Sequence, residues 1–169
     1  MKDLSAKKKK MNQDYALAMK NIGWFTIMDF KLLKKNSDIT KKQKIADKAI
    51  KIIRTHKNKI TAFKAYSRNA LENIQASAEE KKTLLAGYDQ GTRSKKARAA
   101  KRYWDLEEKV AGSVKAMIDM LATHQADWQI RNGRLEFRDQ KLIERYNSHI
   151  DSINRSIEMQ NTLRRQAGK

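Results

Sequence analysis

The chain contains no proline and only six glycines in its 169 residues. Proline and glycine are the residues that most often end helices and form tight turns, so their scarcity favours long, uninterrupted helices. An all-β sandwich or barrel, which needs many short turns, is disfavoured for the same reason. Because 40% of the residues are hydrophobic, the chain can also form a core. We therefore expect one all-α domain.

Apolar residues in the first 74 positions follow helical spacing. A first stripe predicts a helix over about 4–33 that ends in the polar segment 34–38, and its members are Met11, Tyr15, Met19, Ile22, Phe25 and Leu32. Thr40 and Gln43 form a capping-box pattern, which predicts that a helix of about 35 residues begins there. His56 and Ser67 are polar positions in its seam, which otherwise consists of Ala46, Ala49, Ile53, Ile60, Phe63, Ala70 and Ile74.

The second half predicts two more long helices. Ser77 and Glu80 form another capping box, and Gly87 and Gly91 predict a turn. A helix over about 93–126 follows, with the stripe Tyr103, Val110, Val114, Met117, Leu121 and Trp128. The last helix begins near Asp139 and its stripe fades after Gln160; the stripe is Ile143, Tyr146, Ile150, Ile153 and Ile157.

Between these two helices the apolar period changes from 3.6 to 2. Asn132-Gly133 lies at the centre of the alternating segment and is a strong hairpin signal, because both residues tolerate positive φ. A two-residue hairpin places Trp128 opposite Phe137. It also places Ile130 opposite Leu135, on the same surface.

The predicted fold is an all-α antiparallel bundle of three long helices plus an N-terminal helix, with a small β-hairpin near 128–137. We expect a basic N-terminal helix over 1–36, a bundle core over 37–163 and a polar tail over 164–169. The residues predicted to be buried between helices are Ile53, Ile60, Val114, Leu121, Ile150 and Ile153.

Few side chains are suited to catalysis or metal binding. There is no cysteine, and the three histidines lack the His-x-x-x-His or Glu-x-x-His spacing that a metal site on a helix requires. No nucleophile elbow or glycine-rich phosphate loop occurs. We therefore predict no catalytic residue, no metal, no cofactor and no enzymatic activity.

The unusual property is the charge. Lys and Arg number 38 against 19 acidic residues, a net charge of +19, and the excess is largest in residues 1–70. Apart from Lys7–Lys10, the basic clusters form a candidate polyanion-binding set: Lys41, Lys44, Lys48, Lys51, Lys59, Arg93, Lys95, Lys96, Arg98, Lys101 and Arg102. Three partners would suit these clusters: a nucleic acid, an acidic protein, or an anionic membrane surface into which Trp24 and Phe25 insert beside the charges. The alternative is that the clusters bind nothing and form an inert surface that keeps the protein in solution.

A resemblance covers about residues 39–160. Phe137, Tyr146-Asn147 and Ile150, preceded by Asn132-Gly133, resemble a bacterial family of uncharacterised small envelope lipoproteins, and Thr40-x-x-Gln43-Lys44 is similar to the start of that family's first core helix. The resemblance implies a three-helix bundle and no established activity. That family carries a signal peptide with a lipidated cysteine, and this sequence shows neither pattern, which argues against the expectation of a lipid anchor in the envelope.

Location and function follow as expectations. No segment reaches the roughly 18 apolar residues of a membrane span, so we expect a cytoplasmic protein if the sequence is complete and an envelope protein if an upstream signal has been removed. The favoured function is a non-enzymatic structural or interaction protein, of the bacterial envelope, whose partner is unknown. The alternative is a basic cytoplasmic protein that binds nucleic acid.

Overall fold

The computed structural model of the protein describes residues 2–31, 33 and 36–168. Within them lie five helices: α1 (Lys2–Asn21), α2 (Asn36–Glu72), α3 (Ala78–Arg93), α4 (Lys95–Thr123) and α5 (Gln140–Gly168). A hairpin pairs β1 (Trp128–Arg131) with β2 (Arg134–Phe137). The predicted stripe residue Leu32, the turn residues Lys34 and Lys35 and the terminal Lys169 lie outside the described residues.

The predicted all-α antiparallel bundle is confirmed, and α4 is its central helix. One side of α4 packs against α2 and another against α5. Val114, Met117 and Leu121 of α4 are almost completely buried in the largest core cluster, together with Ile39 and Ala46 of α2. Its remaining buried members are Ile27, Phe30, Leu33, Ile118, Met120, Leu142 and Ile153.

Helix α1 ends earlier than predicted. Gly23 adopts φ +80°, a conformation that glycine reaches without steric cost, and the chain turns there instead of continuing to residue 33. The segment after the turn buries Ile27 and Phe30 at one end of the bundle. The Lys42 ammonium donates a 2.7 Å hydrogen bond to the Ile27 carbonyl and holds this segment against α2.

Two other predicted helix boundaries are wrong. Thr40 lies inside α2, which begins at Asn36, and the Gln43 amide donates instead to Asp119 of α4. Gly87 and Gly91 are both inside α3.

The break between α3 and α4 lies instead at Ser94, whose extended ψ of 160° ends one helix and whose hydroxyl accepts from the Ala97 amide to begin the next. The capping box of Ser77 and Glu80 is confirmed.

The hairpin has the predicted register. Trp128 faces Phe137, Ile130 faces Leu135, and all four pack against the core cluster. Asn132 and Gly133 have φ of 52° and 71°, the pair of positive values that a type I′ turn requires. The Trp128 indole donates a 2.8 Å hydrogen bond to the Leu121 carbonyl, so the hairpin covers the end of α4.

Seam residues agree with the prediction in the middle of the bundle and depart from it towards the helix ends. Ile53, Val114, Leu121 and Ile153 are buried, whereas Ile60 and Ile150 are only half-buried. Four predicted stripe residues are exposed: Phe25, Ala70, Ile74 and Ile157. The stripe of α5 was predicted to end after Gln160, but the helix continues to Gly168 and also buries Leu163.

Two Gly→Ala substitutions are expected to change stability in opposite directions. Gly133→Ala places a side chain at φ +71° and should lower the free energy of unfolding by about 1–2 kcal/mol. Gly87→Ala should raise it by about 1 kcal/mol, because Ala favours the helix and the added Cβ meets no atom within 4 Å. Urea denaturation of both variants tests the pair, and a loss of stability at Gly87 would contradict a helix at that position.

Candidate anion-binding surface

Five predicted binding residues form one exposed row on α2, the lysine row: Lys41, Lys44, Lys48, Lys51 and Lys59. Lys41 is 3.7 Å from Asp38, one turn earlier on the helix. Among the described residues, none of the other four forms an ion pair. The row is exposed to solvent, and its charge is largely uncompensated.

Cations on the opposite side of α2 are paired, in contrast to the row. Arg54 and Lys57 both contact Glu108 of α4, at 2.7 and 2.8 Å, and the hydrogen bonds from them lower the pKa of that carboxyl. Lys115 of α4 bridges Asp47 and Asp119 at 3.1 and 3.0 Å. Asp47, Glu108 and Asp119 are therefore used in the α2–α4 seam and do not neutralise the lysine row.

The second predicted set surrounds the start of α4 and is separate from the lysine row. We call it the α4 basic cluster; it consists of Arg93, Lys95, Lys96, Arg98, Lys101 and Arg102, all exposed. In the antiparallel register of the two helices, Arg54 meets Glu108 and Asp47 meets Lys115. The α4 basic cluster therefore lies beside the second half of α2, beyond Lys59.

Three lysines of the row line a cleft between α1 and α2, which we call the lysine cleft. Its volume is about 330 Å³. Lys48, Lys51 and Lys59 contribute its positive charge, and Asp14 of α1 contributes one negative charge. The rest of the lining is Met11, Tyr15, Ala18, Ile22, Ile52, Thr55 and His56. Lys41 and Lys44 lie on the same helix but outside this cleft.

An aromatic cluster joins α1, α2 and α4 beside the lysine cleft. The His56 ring lies 4.7 Å from the Tyr15 ring and 4.4 Å from the Trp104 ring. The Tyr15 hydroxyl donates a 2.9 Å hydrogen bond to Glu107, which also accepts one of 2.6 Å from Gln160 of α5. Burial and the Glu107 charge raise the pKa of Tyr15, so the hydroxyl remains a donor at neutral pH.

His56 has an unpaired nitrogen. The residue is 3% exposed, and its Nε2 has no hydrogen-bond partner in the described part of the chain. Burial lowers the pKa of His56, and the neighbouring Lys59 charge lowers it further, so the ring is neutral near pH 7. A buried polar atom without a partner costs about 1–3 kcal/mol, which makes this position unfavourable unless another molecule supplies the partner.

Stability should fall as the pH falls below about 6.5, the ordinary pKa of histidine. In that range the unfolded His56 takes up a proton that the folded protein binds less well, and a tenfold difference in proton affinity corresponds to about 1.4 kcal/mol. Burial also lowers the pKa of His149, which adds to the effect. Urea denaturation at pH 7.5 and 5.5 should show a smaller fall for His56→Phe than for the parent, and equal falls would contradict this role of His56.

Sequence reasoning missed the aromatic cluster and the cleft. Tyr15 and Glu107 are 92 residues apart, so only the packing of α1 against α4 brings them together. The seam position of His56 is visible in the heptad pattern, but its unpaired nitrogen is not. Within the described part of the chain, no group of three or more histidine or acidic side chains is placed to hold a metal ion.

No helix in the described ranges is long and apolar enough to cross a membrane. No model of a known protein family, no curated protein and no solved structure matches this chain. The resemblance to envelope lipoproteins therefore stays a prediction, and the function has to be argued from the lysine row and the cleft.

Proposed function

We propose that the chain is a non-enzymatic interaction protein that binds duplex nucleic acid through the lysine row. The observation that carries this proposal is the separation of charge on α2, where cations facing α4 are paired and those in the row are largely unpaired. From Lys41 to Lys59 the row runs roughly 27 Å along the helix at 1.5 Å per residue. A row of that length suits an extended anionic polymer.

Duplex nucleic acid matches the row because it presents about one negative charge per 1.7 Å of its axis. Each phosphate that a lysine neutralises releases condensed counterions, and this release supplies affinity without readout of the base sequence. The proposed complex is therefore sequence-independent. Two carboxylates of α4 have a structural role in this proposal. Glu107 accepts hydrogen bonds from Tyr15 and Gln160, and Glu108 accepts them from Arg54 and Lys57.

An anionic membrane surface of the bacterial envelope is the second candidate partner. Phe25 is 73% exposed and Leu17 is 57% exposed, and apolar side chains of this kind enter the interface of a bilayer to which basic residues are attracted. We rank this candidate below nucleic acid because the exposed positions next to the lysine row on α2 are polar.

A salt titration tests the proposal. Fluorescence anisotropy of a labelled 20-base-pair DNA duplex of arbitrary sequence should show binding at 25 mM salt that weakens steeply up to 200 mM, because each released counterion gains less entropy when the bulk salt concentration is higher. A second duplex of unrelated sequence should bind equally well. Vesicles of phosphatidylcholine, with and without phosphatidylserine, provide the membrane comparison. Absence of DNA binding at 25 mM would contradict the proposal, and binding to the anionic vesicles alone would favour the second candidate.

A further inference from the structure

The lysine cleft has two chemically different halves. Lys48, Lys51 and Lys59 place three ammonium groups along its α2 side, and the Thr55 hydroxyl lies on the same side. Besides Asp14 and Tyr15, the α1 side presents Met11, Ala18 and, just after the end of the helix, Ile22, and Ile52 adds an apolar side chain from α2. A ligand that filled the cleft would therefore need an anionic head and an apolar body.

The net charge of the cleft indicates which head it would accept. Three lysines and Asp14 give the lining a net charge of about +2 with neutral His56. A phosphate monoester carries about −1.5 to −2 at pH 7 and offers three acceptor oxygens. Lysine ammonium groups, with three donors each, are common phosphate ligands. A carboxylate or sulfonate, with a single charge, would leave part of the cleft's charge unbalanced.

His56 provides an independent observation in the same cleft. It forms part of the lining, it is 3% exposed, and its Nε2 has no partner among the described residues. In the tautomer that carries the proton on Nε2, this atom is a donor. Nε2 itself is enclosed, so a phosphate oxygen in the cleft would supply the missing acceptor once the ring turns towards it. The Tyr15 hydroxyl in the same lining is already used by Glu107.

We propose that the lysine cleft binds a small amphipathic phosphate monoester, with its phosphate on Lys48, Lys51, Lys59 and His56 and its apolar body on the α1 side. The volume of about 330 Å³ lies at the lower end of the range for small-molecule sites. The site does not depend on the proposed nucleic-acid binding, although three lysines are shared. Lys41 and Lys44 lie outside the cleft, so substitutions at these two positions distinguish nucleic-acid binding from binding in the cleft.

Isothermal titration with three probes tests the proposal. Monooctyl phosphate, kept below its micelle concentration, should bind with one site per chain and at least tenfold more tightly than inorganic phosphate, which offers only the head. Octyltrimethylammonium, which has the same body and the opposite charge, should not bind. Equal affinity for octyl phosphate and inorganic phosphate would overturn the amphipathic part of the proposal, and binding of the cationic probe would overturn its electrostatic part.

Matched variants locate the site. Simultaneous Lys48→Gln, Lys51→Gln and Lys59→Gln should weaken octyl phosphate binding at least tenfold, whereas Lys41→Gln with Lys44→Gln should leave it unchanged while weakening DNA binding. Unchanged affinity in the triple variant would overturn the proposal and place the probe elsewhere, for example in the apolar cleft of about 480 Å³ between α1, α4 and α5. A third set, Lys82→Gln, Lys109→Gln and Lys141→Gln, removes the same charge from exposed positions outside the cleft.

The histidines supply a direct readout. In a two-bond ¹H–¹⁵N spectrum, octyl phosphate should move the Nε2 resonance of His56 and leave those of His124 and His149 in place. A shift of all three, or of none, would contradict contact with His56. Vesicles containing phosphatidic acid offer the same head within a bilayer, and binding to them without binding to octyl phosphate would overturn the small-molecule proposal in favour of a membrane surface.

Discussion

Replacing Ile53 with Ala is expected to lower the free energy of unfolding by about 2–5 kcal/mol. Ile53 is completely buried in a cluster with Met19 of α1, Ala49 of α2 and Ala111 of α4. Two of its neighbours are already alanines, which cannot extend to fill the space left by the missing carbons. The residual cavity therefore adds to the lost transfer free energy, and urea denaturation followed by circular dichroism measures the sum.

Ile157→Ala is the matched control, because it makes the same chemical change on a helix of the same bundle. Ile157 is 41% exposed, and Ala has the higher helix propensity. The free energy of unfolding of this variant should therefore stay within about 0.5 kcal/mol of that of the parent. Both isoleucines occupy predicted stripe positions, and only the structure shows that Ile53 is buried and Ile157 is exposed. Equal losses in the two variants would contradict the burial pattern described for α5.

Helical periodicity predicted the architecture because each long helix needs only one apolar stripe to find its partners. It placed His56 and Ser67 in the seam of α2, but it did not predict that Ser156 and Gln160 of α5 are buried. His56, Ser67, Ser156 and Gln160 are all buried, and the two serine hydroxyls donate to the backbone one turn earlier, so they fit a seam without a distant partner. Such local satisfaction is hard to recognise in a heptad pattern, where a serine counts as polar.

Helix boundaries were predicted well only where a local hydrogen bond fixes them. Ser77 and Glu80 bond reciprocally within four residues, so the sequence alone identifies this cap. Gly87 and Gly91 have the composition of a turn, but no local interaction favours a turn over a helix there, and α3 continues through both exposed glycines. Gly23 is the reverse case, since the turn there lets Ile27 and Phe30 enter the core.

The candidate site was predicted in part for a related reason. Spacings of three and four place Lys41, Lys44, Lys48 and Lys51 along one side of α2, so the lysine row follows from the sequence. The cleft needs a second helix. Its α1 side and the unpaired nitrogen of His56 result from tertiary packing, which the spacing of residues along one helix does not reveal.

Replacing Lys41, Lys44, Lys48 and Lys51 together with Gln should reduce DNA binding and flatten its salt dependence. If each lysine neutralises one phosphate, the slope of log affinity against log salt should become less steep by about 0.9 per residue, or about 3.6 in all. Between 50 and 200 mM salt, the parent would then lose about 10²-fold more affinity than the variant. Anisotropy with the labelled duplex at four salt concentrations measures both slopes.

The fold should tolerate this replacement. The four lysines are exposed, and like charges three and four residues apart on a helix repel each other, so Gln at these positions leaves stability unchanged or raises it slightly. A control with Lys64, Lys82, Lys109 and Lys141 replaced by Gln makes the same change in net charge at exposed positions outside the row. Equal flattening of the slope in both sets would mean that DNA responds to the total charge of the protein, and the lysine row would then have no particular role in binding.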